Sequence, residues 1–146
     1  MFRDACVLIT GGTGTIGRAF TKHCINAGAR EVRIFSRSEE KQSEMAQDFA
    51  GAPLTFFNGD IRNNKAISEA MQGVDYVLHA AAMKSIPTCE YTPNNAILTN
   101  VVGTTNVIQI AKECKVKKVV CLSSDKAVYP TSVMGMTKAL MEKMAL

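Results

Sequence analysis

The sequence predicts an α/β fold: a doubly wound parallel sheet with helices on both faces. Short apolar runs alternate with amphipathic stretches of helical spacing along the whole chain, which is the pattern of repeated β-α-β units. The first apolar run ends at a cluster of glycines that opens the first helical stretch. The length of 146 residues fits one domain. We therefore expect right-handed crossovers and the strand order 3-2-1-4-5.

The first half of the chain is expected to hold three strands, each followed by a helix. The first strand is an unbroken apolar run, typical of a strand buried on both faces. The first helix places Ile16, Phe20 and Cys24 on one face and stops at Gly28, and Ser38 before two glutamates marks the start of the second. The predicted strands are 5–10, 31–36 and 54–59, and the predicted helices are 15–28, 38–50 and 63–72.

The second half continues the alternation with longer segments. The runs VDYVLHAAA and VKKVVCLSS are apolar enough to be strands, and a long helical pattern lies between them. A last helical pattern follows the second run. The predicted strands are 74–82 and 116–124, and the predicted helices are 93–114 and a segment from about 132 to the end.

Composition excludes several classes of protein. The net charge of +4 is mild, and the most basic run, Lys115 to Lys118, is expected to form a solvated turn, so we predict no nucleic-acid partner. The five cysteines form no C-x-x-C pair and have no histidine at zinc spacing, which indicates reduced thiols and no metal site. Without a signal peptide or a membrane-length apolar run, we expect a cytoplasmic protein.

A glycine-rich segment joins the first strand to the first helix, and Gly12, Gly14 and Gly17 satisfy G-x-G-x-x-G. Glycines permit a tight turn and close approach of the backbone to a pyrophosphate, and the helix N-terminus favours negative charge. Because a strand precedes the motif and a helix follows it, we interpret it as the phosphate loop of a Rossmann-type site rather than a ligand-free turn. The loop comprises Thr10, Gly11, Gly12, Thr13, Gly14, Thr15, Ile16 and Gly17.

The end of the second strand bears on the choice between NADP and NAD. An NAD site usually places an acidic residue there to bind the ribose hydroxyls, whereas this chain has Ser36, followed by Arg37, Ser38 and Lys41. Arginine and serine can bind a 2′-phosphate, so we predict NADP. The alternative is an exposed polar loop whose arginine faces water.

A Gly-Asp-Ile turn follows the third strand. Asp60 could accept a hydrogen bond from the adenine amino group while Ile61 packs on the ring. Asp60 could equally cap the next helix. The residues alone do not separate these two roles.

Five segments resemble the extended short-chain dehydrogenase/reductases, and more closely the N-terminal half of the NADP-dependent UDP-N-acetylglucosamine 4,6-dehydratases, which serve bacterial capsule, flagellin-glycan and O-antigen synthesis. The most specific is SSDKAVYP, with MGMTK following it, and together the segments cover nearly the whole chain. They are TGGTGTIGRAF, SRSEEKQSEM, FFNGDIRN, HAAAMKSIPTCEYTPNNAILTNVVGTTNVI and CLSSDKAVYPTSVMGMTKALMEK.

The resemblance implies roles for residues beyond the glycine loop. It implies that the HAAA turn lines the ribose side, that Lys84 lies near both cofactor and substrate, and that Lys138 holds the nicotinamide ribose. It implies cofactor contacts from Asp60, Ile61, Ala80, Ala81, Ala82, Lys84, Ser123 and Lys138, and substrate contacts from Lys84, Ser124 and Lys126.

Dehydration of a sugar nucleotide needs a base for the carbon 4 hydroxyl and an acid/base pair for loss of the carbon 5 proton and the carbon 6 hydroxyl. Asp125 and Lys126 follow the fifth strand, at the sheet edge where ligands bind. Our hypothesis assigns Lys126 as the base at carbon 5 and Asp125 as the acid, with Lys138 as the third catalytic residue. On the residues alone, a surface ion pair or a helix-capping Asp125 is the simpler interpretation.

Met134 stands where relatives of this family carry the tyrosine of Tyr-x-x-x-Lys, four residues before Lys138. Methionine cannot take or give a proton, and Tyr129 has the wrong spacing from Lys138. A capsule-type subgroup of the dehydratases resembles this chain in having methionine at this place. We therefore favour proton chemistry relocated to Lys126 over an inactive site.

The last helical pattern reaches the end of the chain without a capping residue, and a sheet of this type usually has a sixth strand. We expect residues 1–146 to be the NADP-binding part of a longer, homo-oligomeric enzyme acting on a UDP-sugar, the alternative being a minimal domain. Three other functions stay open: a UDP-sugar 4-epimerase, an NADP-binding domain without turnover, and an NADP-dependent redox sensor.

Overall fold

The computed structural model describes residues 1–146 and contains one parallel sheet of five strands. The strands are β1 (Cys6–Thr10), β2 (Glu31–Ser36), β3 (Leu54–Asn58), β4 (Tyr76–His79) and β5 (Lys118–Cys121). Their order in the sheet is β3-β2-β1-β4-β5, which confirms the predicted order. The strands β2, β1, β4 and β5 end at the same edge of the sheet. Thr10 of β1 pairs with both Phe35 and His79, and His79 pairs with Cys121.

The helices alternate with the strands as predicted, except that a 3-10 turn, Asp125–Ala127, follows β5 and two further differences lie between β4 and β5. A short helix that the sequence did not predict lies between β4 and the long helical segment, and that segment is three consecutive pieces with a π-helical turn in the middle. The helices are α1 (Thr15–Asn26), α2 (Glu39–Asp48), α3 (Asn64–Met71), α4 (Ile86–Tyr91), α5 (Pro93–Ala96), the π-helical turn Ile97–Val102, α6 (Gly103–Glu113), the 3-10 turn Asp125–Ala127 and α7 (Val133–Ala145).

Two apolar layers cover the two faces of the sheet, because successive strand residues point to opposite sides. Leu8 packs with Ile67 and Val107 on the face covered by α3 and α6. Val7 and its alternate neighbours pack on the face covered by α1 and α2 in a cluster of ten buried residues. Burial of β1 on both faces explains why this strand is a continuous apolar run.

Local signals set the helix starts. The Ser38 hydroxyl accepts from the backbone amide of Lys41 and caps α2, which confirms that prediction. Asn63 caps α3 by accepting from the amides of Lys65 and Ala66. The helix-capping alternative for Asp60 is therefore wrong.

The structure corrects one prediction about the packed face of α1. Ile16 was expected on the packed face of α1, but it is 50% exposed, because the helix packs through Gly17, Thr21 and Cys24.

No helix of the chain is both long and apolar enough to cross a membrane.

Candidate dinucleotide site

The glycine loop is a tight cradle between β1 and α1. Gly11 adopts φ +66, a left-handed conformation that favours glycine. Its amide donates to the Phe35 carbonyl at 2.8 Å, and its carbonyl accepts from the Gly14 amide at 3.0 Å. A Cβ on Gly17 would lie 2.5 Å from the Gly12 carbonyl oxygen, so α1 approaches the loop as closely as glycine allows.

A cleft of about 480 Å³ opens beside this loop at the carboxyl edge of the sheet. It brings together residues from four of the predicted groups: the glycine loop, the end of β2, the Gly-Asp-Ile turn and the segment after β4. Its lining comprises Gly11, Thr13, Gly14, Phe35, Ser36, Arg37, Ser38, Lys41, Gly59, Asp60, Ile61, Ala80, Ala81, Ala82, Lys84 and Thr99. The predicted residues Thr10, Gly12, Thr15, Ile16, Gly17, Ser123, Ser124, Asp125, Lys126 and Lys138 lie outside this lining.

The end of β2 forms the polar side of the cleft. Ser36 is buried, and its hydroxyl accepts from the Gln42 side chain at 3.0 Å. The Gln42 amide also donates to the Phe57 carbonyl at 2.9 Å, which ties the ends of β2 and β3 together. The Arg37 side chain is 67% exposed and forms only a long ion pair with Asp60, at 3.9 Å, so most of its guanidinium surface is open to an anion.

Asp60 lies at the cleft as a carboxylate held by arginine. Its oxygens accept from Arg62 Nε at 3.0 Å and from Nη2 at 2.7 Å. Hydrogen bonding from Arg62 is the largest effect that lowers the pKa of Asp60, and the charge of Arg37 adds to it. Ile61 is 3% exposed and packs towards Gly103, so most of its side chain belongs to the core rather than to the cleft surface.

Buried polar side chains hold the segment after β4 in place. Thr10 Oγ1 accepts from the Ala81 amide at 3.3 Å. The side chain of Asn100 hydrogen-bonds both backbone groups of Met83. The Ala80–Ala82 stretch also lies directly against Gly11, since a Cβ on Gly11 would lie 2.8 Å from the Ala81 nitrogen.

Lys138 is buried on α7, and its ammonium donates to the Leu122 carbonyl just after β5 at 2.9 Å. Burial is the main cause that lowers the pKa of Lys138, and the nearby charge of Lys84 lowers it further. Two cations therefore face the same end of the sheet, an arrangement that favours an anionic ligand.

Asp125 and Lys126 form an exposed ion pair on the 3-10 turn after β5. Lys126 Nζ lies 2.7 Å from Asp125 Oδ2, and their side chains are 51% and 82% exposed, respectively. The hydrogen bond from Lys126 lowers the pKa of Asp125, so this residue is a carboxylate at neutral pH. In this arrangement Asp125 does not hold the proton that the predicted acid role requires.

Met134 packs away from the cleft. It is 6% exposed and forms a small apolar cluster with Cys89 and Ala96, against which Met83 and Val133 also pack. Met134 is therefore a packing residue between α4, α5 and α7.

Three residues of the cleft and its support were not predicted as site residues. Thr99 lines the cleft from the π-helical turn, Gln42 fixes Ser36, and Asn100 holds Met83. A helix that broadens into a π-turn often marks a functional region, but nothing in the local sequence signals the turn.

The sheet order, the glycine cradle and the cleft at the carboxyl edge define a domain of the doubly wound, dinucleotide-binding class. The chain belongs to the polysaccharide biosynthesis protein family, whose sequence pattern matches residues 7–146.

Individual relatives agree with this family. A protein of Rickettsia canadensis named UDP-glucose 4-epimerase is 53% identical over all of this chain and 44% of its own length. The X-ray structure of Pen from Bacillus thuringiensis is 45% identical, with a TM-score of 0.97 over 99% of this chain and 44% of that one. A dTDP-glucose 4,6-dehydratase, DesIV of Streptomyces venezuelae, solved with NAD, is 25% identical with a TM-score of 0.86 over 94% of this chain and 49% of that one.

The chain thus spans less than half the length of the curated relatives that it matches. The Rickettsia relatives are named UDP-glucose 4-epimerase, whereas the sequence resemblance implied a UDP-N-acetylglucosamine 4,6-dehydratase.

Proposed function

We propose that this chain is the NADP-binding part of an enzyme that modifies a UDP-sugar for polysaccharide synthesis. The cleft supports the cofactor class: its glycine cradle admits no Cβ at Gly11 or Gly17, and it joins that cradle to the end of β2. A dinucleotide has its pyrophosphate and its adenosine ribose at these two places. The remaining length that the relatives carry would supply most of the sugar-nucleotide contacts.

The proposal of NADP over NAD rests on the end of β2. Ser36 stands where an acidic residue would repel a 2′-phosphate, and the exposed Arg37 side chain and Lys41 stand beside it. We propose that Arg37, Ser38 and Lys41 bind this phosphate. The relative solved with NAD makes NAD the alternative that a binding experiment must exclude.

The reaction proposed is a 4,6-dehydration. Bound NADP would accept hydride from sugar carbon 4 and return it to the sugar. We propose that Lys84 and Lys138 favour the anionic ligand at this edge. We propose that bound substrate lets one proton pass from the Lys126 ammonium to the Asp125 carboxylate along their hydrogen bond. The neutral Lys126 amine then takes the carbon 5 proton, and the Asp125 carboxyl gives its proton to the departing carbon 6 hydroxyl, which leaves as water. The Asp125–Lys126 pair after β5 is the single observation that carries this proposal, since an epimerase needs no such second pair.

A UDP-sugar 4-epimerase is the second candidate, because the relatives at 51–53% identity carry that name. The two reactions differ in the fate of hydrogen. Dehydration exchanges the carbon 5 hydrogen with solvent and moves the carbon 4 hydrogen to carbon 6, whereas epimerisation returns hydrogen to carbon 4 without solvent exchange.

The cofactor is tested first, on this chain, by titration with NADPH and NADH followed by nicotinamide fluorescence. We expect tighter binding of NADPH, and we expect Arg37→Ala to weaken NADPH about tenfold or more while leaving NADH unchanged. Arg3→Ala, at the opposite edge of the sheet, is the matched control for loss of one exposed positive charge. Equal binding of both nucleotides would remove the 2′-phosphate assignment, and binding of neither would contradict the proposed site.

The reaction is tested with UDP-N-acetylglucosamine in D₂O, using the chain alone and joined to the remaining length that its relatives carry. A product with deuterium at carbon 5 and a new methyl group supports dehydration, whereas a carbon 4 epimer without deuterium supports the epimerase. Lys126→Ala should abolish turnover and retain NADPH binding. Unchanged turnover in this variant would refute its assignment as the base.

A further inference from the structure

A row of hydrogen bonds passes through the buried imidazole of His79 at the carboxyl end of β4. Nδ1 lies 2.6 Å from Thr10 Oγ1, and Nε2 lies 2.9 Å from Thr104 Oγ1. Each of the three residues has a relative exposure of 0%. Their polar atoms must therefore be satisfied within the protein, because an unpaired buried donor or acceptor is costly.

The direction of the bonds follows from the surrounding donors and acceptors. The Thr104 hydroxyl donates to the Asn100 carbonyl at 2.5 Å, and a hydroxyl has only one proton to donate. Thr104 Oγ1 therefore accepts from His79, which places the imidazole proton on Nε2. His79 Nδ1 is then an acceptor, and the Thr10 hydroxyl donates to it.

The opposite tautomer would break this row. With the proton on Nδ1, Nε2 would need the single proton of Thr104, and the hydrogen bond from that hydroxyl to the Asn100 carbonyl would be lost. A doubly protonated ring is also excluded at neutral pH, because burial and, secondarily, the charge of Lys138 lower the pKa of His79 to about 3.

The row ends on both sides at elements of the candidate site. At one end, Thr10 Oγ1 gives its proton to His79 and uses a lone pair for the Ala81 amide at 3.3 Å. At the other end, the Asn100 carbonyl belongs to the π-helical turn, and the Asn100 side chain binds Met83. The segment from Ala81 to Met83 is thus held at two points by groups that the imidazole connects.

We propose that His79, as the Nε2–H tautomer, is a positioning residue that sets the cleft wall at Ala81 to Met83 against the glycine loop. This inference rests on the proposed function, because it assumes that the cleft binds a dinucleotide. The wall has little freedom, since Gly11 and the Ala81 backbone are already too close to admit a Cβ. A displacement of the wall would change the dinucleotide pocket without removing any group that touches the ligand.

The tautomer is measured first by nitrogen-15 NMR of the imidazoles in the wild-type chain, which has two histidines. The His23→Gln variant assigns the signals. We expect His79 to show a protonated Nε2, an unprotonated Nδ1 and an Ala81 amide protected from hydrogen exchange. A protonated Nδ1 would overturn the proposal, and this measurement needs neither ligand nor a variant of the row itself.

The effect on binding is measured with two variants of Thr104, which lies outside the cleft. Thr104→Val removes the hydroxyl at nearly constant shape, and Thr104→Ser retains it. We expect about tenfold weaker NADPH binding and a faster exchange of the Ala81 amide in Thr104→Val, and wild-type values in Thr104→Ser.

A purely structural role for the row predicts another outcome: Thr104→Val would have a lower Tm but an unchanged Kd for NADPH and an unchanged Ala81 amide. That result would overturn the positioning role. If the wild-type chain binds no NADPH, the proposed function fails and the positioning role fails with it, whereas the tautomer result still reports separately on the hydrogen-bond row.

Discussion

The side chain of Asn100 binds both backbone groups of Met83: Oδ1 accepts from the amide at 2.7 Å, and Nδ2 donates to the carbonyl at 3.1 Å. Nδ2 also donates to Thr137 Oγ1 at 2.9 Å. One fully buried amide therefore joins the segment after β4, the π-helical turn and α7. Because Lys138 follows Thr137, this amide also relates the cleft wall to the buried lysine.

Substitution Asn100→Asp should be strongly destabilising. It keeps the shape of the side chain but replaces the donating Nδ2 with an oxygen that faces the Met83 carbonyl. The new carboxyl group is buried either as a charged carboxylate or in its protonated form. We expect a loss of about 3 kcal/mol in the free energy of unfolding, measured by urea denaturation. Asn95→Asp makes the same change at an exposed site and should cost no more than about 0.5 kcal/mol. Equal losses in the two variants would contradict this role of Asn100.

Alanine substitutions in the glycine loop should separate folding from binding. A Cβ at Gly17 would lie 2.5 Å from the Gly12 carbonyl oxygen, whereas the nearest atom to a Cβ at Gly14 is 3.3 Å away. We expect Gly17→Ala to lower the free energy of unfolding by about 2 kcal/mol or more, because backbone must move. Gly14→Ala should cost little stability, and its methyl group on the cleft surface should weaken NADPH binding.

The two losses are measured by urea denaturation and by nicotinamide fluorescence. A Gly17→Ala variant as stable as wild type would mean that α1 can shift away from the loop at little cost. A Gly14→Ala variant with wild-type affinity would mean that the dinucleotide does not approach this part of the cradle.

The sheet and the glycine loop were predictable because their signals are local. Apolar runs such as 5–10 identify strands that are buried on both faces, and G-x-G-x-x-G needs only its neighbours to be interpreted. The helix-capping role of Ser38 is local in the same way, and it is confirmed by the bond from the Lys41 amide.

The support beneath the cleft was not predictable in the same way. The bonds of Asn100 to Met83 and Thr137 join residues 17 and 37 positions apart, so they depend on how helices pack rather than on a local pattern. The π-helical turn within the predicted helix 93–114 has no sequence signature. The burial of Met134 likewise follows from the short helix α4, which supplies Cys89 and which the sequence did not predict.

Met134 should be replaceable by another apolar residue of similar volume. Because it packs with Cys89 and Ala96 and lies outside the cleft lining, Met134→Leu should cost less than about 1.5 kcal/mol and leave NADPH binding unchanged. Met134→Tyr adds volume to the same cluster and should cost about 1–3 kcal/mol. Thermal denaturation and nicotinamide fluorescence measure both effects. A large loss of NADPH affinity in Met134→Leu would show that this side chain contributes to the site after all.

The stability of the chain should fall in weak acid because of His79. Burial lowers its pKa in the folded state from 6.5 to about 3, so below pH 6.5 the unfolded state binds a proton that the folded state does not. The free energy of unfolding should therefore decrease as the pH falls below 6.5, with a slope that approaches about 1.4 kcal/mol per pH unit. Carboxylates with lowered pKa values, such as Glu31 and Asp75, add their losses only at lower pH, near and below their ordinary pKa values.

Urea denaturation followed by circular dichroism between about pH 7 and pH 5 tests this expectation. His79→Gln removes the titrating group and keeps a donor towards Thr104, so its stability should be lower at pH 7 but should change less with pH. His23→Gln shows how much of the slope belongs to the other histidine. A wild-type profile that is flat down to pH 5 would mean that the imidazole gains its proton in the folded state as readily as in the unfolded one, and the buried row from Thr10 to Thr104 would then have to open in weak acid.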